Sequence, residues 1–439
     1  MKLLFIGKVR ELSHQAIDEV LKQQEKYMNK NIKLAVAGAV LALSASANAG
    51  IIIPAGEWTI DINGNVNAFA AWNKSDHNNT VTGGIATVKD ASGEKNTQGI
   101  TTGLLPSWLG VTGKTRQNDL DVEFTISLQP GVSDNHAHGD LTQPVLNRQT
   151  YVSFGDKSWG SVKLGKDLGI FASDAILNDM TLLGVGGIAN GGAYVGSATA
   201  VNSTIGGIGS GYIYAAWKGQ VAYTTPNFNG FQATVGITNP NQGLGLEGTS
   251  AATTALYQDR HGLEGKASYS FAGDAMSGKI WVSGASYKVK NSAAAASTYV
   301  EHTASVADIG ANVNFGGIGL TGYYYTGEGV GTTAMFLQSR DSAGSKRDSD
   351  GGYVQATYVL PTKTKIGLAY GKSNLDLTSA ETSASSDIVA HNKRFTVGAY
   401  HPLTKHLNLV AEWNDIESES HRGNKNENTT ISTGAILFF

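Results

Sequence analysis

The sequence closes on Thr429-Thr430-Ile431-Ser432-Thr433-Gly434-Ala435-Ile436-Leu437-Phe438-Phe439. Counted in twos, one register holds Ile431, Thr433, Ala435, Leu437 and Phe439; the other holds Thr430, Ser432, Gly434, Ile436 and Phe438. The first is mostly apolar and the second begins small and polar, the period-2 pattern of a strand with one apolar face. Water frays unprotected chain ends, so an aromatic terminus without a polar tail expects something else around it. An edge strand of a soluble sandwich is the competing account at this point.

Composition narrows the setting. The chain has 439 residues, no Cys, 55 Gly and 8 Pro. Without Cys there is neither a disulfide scaffold nor a thiolate metal site. No run of 18 apolar residues occurs, so a transmembrane helix is not expected. Met28 to Lys33 forms a short basic region, Leu34 to Leu43 an apolar core, and Ala47-Asn48-Ala49 a small-x-small cleavage pattern. That is the order of an export signal over residues 28–49. Residues 1–27 read as an upstream extension with Met28 as the true initiator. Residues 1–49 carry 7 of the 33 basic and 4 of the 36 acidic residues, so the remainder has 26 and 32, a net of −6. Such a balance argues against a nucleic-acid partner and leans toward a mild cation preference.

Residues 50–439 contain no linker and read as one domain of successive hairpins. In the first strand Trp58, Ile60, Ile62, Gly64, Val66, Ala68, Ala70 and Trp72 share one parity, with Asp61, Asn63, Asn65 and Asn67 on the other. Aromatic residues at both ends of an apolar face form the girdle of a lipid-facing strand. Leu120 to Leu128, Ala307 to Phe315 and Leu407 to Trp413 repeat the alternation.

The connections separate sandwich from barrel. Short ones fall near Arg116–Asp119, Gly155–Trp159, Pro226–Gly230, Gly273–Gly278, Gly316–Gly319, Pro361–Thr364 and Pro402–His406. Long ones fall near 73–101, 130–147, 167–211, 240–260, 290–303, 328–350, 375–392 and 418–428. They alternate strictly, which a sandwich has no reason to do. Fifteen connections join sixteen strands, and the fold expected is an all-β, sixteen-stranded antiparallel transmembrane barrel.

Three stretches resemble the Gram-negative trimeric porins, over essentially all of 50–439. Asn147-Arg148-Gln149-Thr150-Tyr151-Val152-Ser153-Phe154-Gly155, followed by Trp159-Gly160-Ser161-Val162-Lys163-Leu164-Gly165-Lys166, is similar to that family's fourth and fifth strands. Val221-Ala222-Tyr223-Thr224-Thr225-Pro226-Asn227-Phe228-Asn229-Gly230-Phe231 resembles its sixth-to-seventh strand turn. The terminal Phe439 is similar to the closing residue that the barrel-assembly machinery reads. The resemblance implies a homotrimer in the outer membrane, in contact with lipid and lipopolysaccharide, and a third loop folded into the lumen. Gly165-Lys166 stands where the family commonly has Gly-Arg, and a Pro-Glu-Phe-Gly-Gly-Asp type of loop motif is missing, which leaves the charge pattern of the constriction open.

The lumen of sixteen tilted strands is too wide for side chains to fill. The 167–211 connection is the longest and combines Asp167, Asp174 and Asp179 with Phe171, Ile176, Leu177, Met180, Leu182 and Leu183. The apolar set would anchor it to the inner wall; Gly184 to Gly211 is Gly-rich and expected to be mobile. Opposite it the resemblance implies a basic wall, for which Lys114, Arg116, Arg148, Lys163 and Lys166 are the candidates. Acidic loop against basic wall would make a transverse field that sorts solutes by size and charge; ordinary solubilising charge on a polar wall is the plainer account. Gly184-Val185-Gly186-Gly187 and Gly206-Gly207-Ile208-Gly209 lack the context of a phosphate loop. His136-Ala137-His138 lacks a third ligand, and no metal or cofactor is expected. Loop carboxylates Glu417 and Glu419 could hold divalent cations loosely or bridge lipopolysaccharide. Expected, then, is a water-filled channel for passive diffusion of small hydrophilic solutes and ions. A substrate-selective sugar or anion channel is one rival; an outer-membrane enzyme or adhesin on the same scaffold is another, for which no nucleophile elbow or acidic dyad is found.

Overall fold

The computed structural model describes residues 50–132, 145–188, 203–239, 256–257, 259–291, 301–341 and 343–439. The segments 1–27 and 28–49 and the His136-Ala137-His138 motif lie outside them. Nineteen strand segments form one antiparallel sheet. They are β1 (Ile51–Ala55), β2 (Trp58–Ser75), β3 (Asn96–Thr101), β4 (Trp108–Gln117), β5 (Leu120–Leu128) and β6 (Thr150–Asp156). Next come β7 (Gly160–Leu168), β8 (Trp217–Thr224), β9 (Phe231–Thr238), β10 (Leu256–Tyr257), β11 (Gly262–Ala272), β12 (Met276–Asn291) and β13 (Glu301–Phe315). The last six are β14 (Ile318–Glu328), β15 (Asp348–Val359), β16 (Lys365–Leu375), β17 (Val389–Pro402), β18 (Leu407–Ser420) and β19 (Lys425–Phe438).

Three segments do not count as separate staves. β3 and β4 follow one another along β2, and β10 and β11 along β12. β1 is a hairpin arm on the first residues of β2. Sixteen staves remain, and β19 pairs with β2 from Asn428↔Ser75 to Phe438↔Asn65, so the sheet closes. Closure satisfies the backbone without a free edge, the condition for crossing lipid with strands.

The parity is that of a membrane barrel. Along β2 the even residues Val66 and Trp72 are exposed, whereas Asn65, Asn67 and Asn73 are buried. Ile309, Leu320, Val354, Leu368, Val397 and Ile431 likewise point outward, against inward Asp308, Thr321, Tyr353, Ala369, Thr396 and Thr430. A soluble sheet would bury the first set. The seam shows the same division: Ile431 and Leu437 face out, while Asn428 and Thr430 bond to Asn73 across the inner face at 2.8 and 2.9 Å. Gly64 and Phe439 exchange two backbone bonds of 2.8 and 3.0 Å below it.

Short turns gather at one end and long connections at the other. Asn118 and Asp119, φ 49° and 62°, make the two-residue left-handed turn that suits strand twist. One connection departs from expectation: between β18 and β19 only residues 421–424 remain, because the two strands stay paired as far as Glu419↔Lys425.

Candidate functional site

The connection from β7 to β8 bonds to strands on two sides of the ring. At its start the Ile170 and Phe171 amides donate to Glu264 of β11 at 2.7 and 2.8 Å. The short helix α1 (Ser173–Leu177) follows, its Ala175 carbonyl accepting from Tyr353 of β15 at 2.8 Å. Gln355 accepts from the Met180 amide at 2.7 Å. Further on, the Val185 and Gly186 amides donate to Glu412 of β18 at 2.9 and 2.7 Å. β11 and β18 are seven staves apart in the ring of sixteen, so these contacts join nearly opposite walls. Residues 203–216 return beside the first limb: Gly187 donates to Gly206 at 2.8 Å and Gly169 to Ala216 at 2.8 Å.

Two anchors are electrostatic. Asp174 is 3% exposed and lies between Lys266 of β11, at 3.1 Å, and Lys279 of β12. Burial alone would raise its carboxyl; the two ammonium groups outweigh that and hold it below the ordinary value. Asp179 accepts from the Thr181 and Gly207 amides, each at 2.9 Å, and from the Tyr212 hydroxyl at 2.8 Å, with Arg394 of β17 at 3.7 Å. Burial, then the neighbouring Asp179 charge, pushes the Tyr212 phenol well above its usual range. Phe171, Ile176, Leu182, Ile213 and Tyr212 are buried in the cluster that fills this section.

The candidate cations separate by register. Lys114 faces inward and pairs with Glu123 across β5 at 3.2 Å. Lys163 faces inward over Tyr151 and pairs with Asp167. Arg148 is 8% exposed, with its guanidinium 5.9 Å from the Trp217 ring and 3.4 Å from the Ser203 hydroxyl. No carboxylate pairs with it among the described residues. Arg116 sits at the short-turn end, held by Asp121 at 2.8 Å and Asp156 at 3.0 Å.

Four expectations need correction. Lys166 shares the outward parity of Leu164 and bonds the Asn147 carbonyl at 2.7 Å, so it belongs to the outer face, not the lumen. Asp167 is a strand residue of β7 rather than part of the loop. Of Gly184 to Gly211, expected to be mobile, residues 184–188 and 205–211 are buried, because glycine lets Gly186 and Gly206 lie in contact, and 189–202 lie outside the described residues. Glu417 and Glu419 are not loop carboxylates: they lie on the outer face of β18, tied to Lys393 at 2.8 Å and Lys425 at 3.0 Å, with His391 alongside.

Glu264, Lys266, Lys279, Arg394 and Glu412 were not singled out from the sequence. Each is a charge on the polar parity of an otherwise ordinary strand. Period 2 identifies the face, but only the tertiary fold shows which inward charges meet the crossing segment.

The family profile described as Gram-negative porin matches residues 34–421. The fold is similar to the outer membrane channel DcaP of Acinetobacter baumannii, at 16% identity and a TM-score of 0.60, covering 89% of this chain and 100% of that one. OprB of Pseudomonas putida is similar at 10% identity and a TM-score of 0.54, covering 87% and 94%. The trimer form of in-vitro folded OmpT of Vibrio cholerae follows at 13% identity and 0.50, covering 87% and 99%. No curated protein sequence matches the chain significantly.

Proposed function

The chain belongs to the Gram-negative porins, and from that membership we propose how its channel is narrowed. It is an outer-membrane barrel through which small hydrophilic solutes diffuse passively. In our proposal the segment 169–188 with its return 203–216 lies within the lumen and sets both the size limit and the field. The observation that carries this is the pair of contacts to Glu264 and Glu412, on nearly opposite walls.

The charges at that level differ from a simple acidic loop facing a basic wall. Asp174 meets two lysines, Lys163 meets Asp167, and Arg148 has no described carboxylate partner. Asp179, Glu264 and Glu412 stand against Lys266, Lys279 and Arg394, so the named charges balance and Arg148 is the cation left without a described carboxylate, although residues 50–439 carry a net −6. Charges inside a narrow, low-dielectric section outweigh distant ones, so a weak anion preference replaces the cation preference that composition alone favours. Arg148 would supply it, since Lys114 and Lys163 are offset by Glu123 and Asp167, with Arg116 acting only at the rim.

The same reading includes a homotrimer, for which the trimer form of the similar OmpT is the support. It also includes export by residues 28–49 and recognition of Phe439 by the assembly machinery. The outer-face charges His391, Lys393, Glu417, Glu419 and Lys425, above the outward rings of Phe395 and Trp413, suit lipopolysaccharide headgroups. Planar-bilayer recording of the purified protein tests the whole. Stable conductance steps in groups of three, with a reversal potential of anionic sign under a salt gradient, are expected. A protein that inserts without conducting would overturn it.

A further inference from the structure

The connection from β14 to β15 is composed unlike a loop that stays in water. Val330, Ala334, Met335, Phe336 and Leu337 are each at most 8% exposed. Phe336 stands edge-on to Tyr287 of β12, with ring centres 5.5 Å apart, and Tyr287 donates its hydroxyl to Glu264 at 2.6 Å. The buried loop therefore touches a wall residue that also serves the first anchor of the crossing segment.

It touches the segment directly as well. The Tyr214 amide donates to the Thr333 carbonyl at 2.9 Å. A Cβ built on Gly209 would stand 2.4 Å from the Thr333 hydroxyl oxygen, so the Thr333 side chain packs on this backbone as closely as glycine allows. Thr333, Phe336 and Gln338 have φ of 66°, 72° and 55°. Three left-handed non-glycine residues within six positions persist only where surrounding packing fixes them. The far end is pinned by Arg347, whose Nε donates to Glu381 at 2.9 Å and whose Nη1 donates to the Gln338 carbonyl at 2.9 Å.

We infer that residues 330–339 form a second in-folded loop that seats on the return limb of the crossing segment, and that the two together set the size limit of the channel. This rests on the crossing segment being the constriction. A single loop tethered at two walls could still bow between its tethers; a second element packed on residues 209–214 restrains that motion and occupies lumen of its own. The loop is thus a positioning element for the constriction as well as part of it.

The test is the full-length channel carrying Met335→Ser, Phe336→Ser and Leu337→Ser together, with folding checked by heat-modifiable gel mobility. Liposome swelling with sugars of increasing size and single-channel recording supply the readouts. Expected are a several-fold gain in uptake of the largest sugars that the parent barely admits, a higher conductance and added open-channel noise. The conservative Met335→Leu should retain parental values. A folded triple variant with parental conductance and cut-off would overturn the inference, and Asp174→Asn separates the two levels. If only Asp174→Asn alters the current, the constriction stands and the second loop is irrelevant to it; if neither does, the constriction reading fails too. Should the triple variant not assemble, Phe336→Ala and Met335→Ala singly carry the same comparison.

Discussion

Asp174→Asn removes one negative charge from a site where the carboxylate is 3% exposed and its partners Lys266 and Lys279 are 25% and 11% exposed. Removing one side of a buried ion pair costs about 3–5 kcal/mol, because the remaining charge stays desolvated. Lys266 can turn to water and Asn still accepts a hydrogen bond, so the lower end, about 3 kcal/mol, applies. At 1.4 kcal/mol per decade this raises the population of a detached crossing segment about 100-fold. The substitution also leaves two lysines without their shared anion. Single-channel recording at pH 7 should show current noise absent from the parent, and the reversal potential should move further toward anions. The acid response supplies a second handle. A carboxyl depressed on folding contributes fully above its unfolded value of about 4 and loses that contribution as pH falls through the lower folded value. The parent should therefore be steady from pH 7 to about pH 4 and loosen below it, while the variant lacks this acid transition. A variant indistinguishable from the parent in noise, reversal potential and acid response would refute the anchoring role of the Asp174 cluster.

Arg148→Ala should shift the reversal potential toward cations, whereas Lys166→Ala should leave it unchanged; equal effects would contradict the inward and outward registers assigned to them. Leu368→Lys places a charge on the outer face where Leu368 is 51% exposed, and should destabilise the barrel in lipid by about 2–4 kcal/mol if it lies near the midplane. Thr396→Lys, on the inner face of the neighbouring strand, should instead perturb conductance, and urea unfolding in bilayers distinguishes the two. Deleting Phe439 removes the backbone pair with Gly64, and folded yield in the outer membrane should fall steeply while the conductance of surviving channels stays parental. Normal yield would count against its role in assembly.

The division between sequence and tertiary structure follows from periodicity. Lipid outside and water inside force alternation on every strand, and the residues from Ile431 to Phe439 already carry it. Loop lengths sort by end because the chain must turn tightly on one side, so seven short turns and sixteen staves are legible in the residues alone. The 418–428 connection is only four residues long, because the polar ends of β18 and β19 pair with the same alternation a loop would break, and composition alone does not mark that point.

Inside the barrel the same alternation is uninformative. It gives inward parity equally to Lys114, Lys163, Lys266 and Lys279, and cannot say which one meets Asp174. That pairing joins residues 92 and 105 positions apart, through a loop whose path depends on the opposite wall. Lys166 needed only its register with Leu164 to be placed outside. Glu264 and Glu412 needed closure, since only a sheet whose first and last strands pair sets staves seven apart on facing walls, within reach of one segment. The sequence alone determined the barrel, its faces and its ends; the tertiary fold alone decided which inward charges meet which loop.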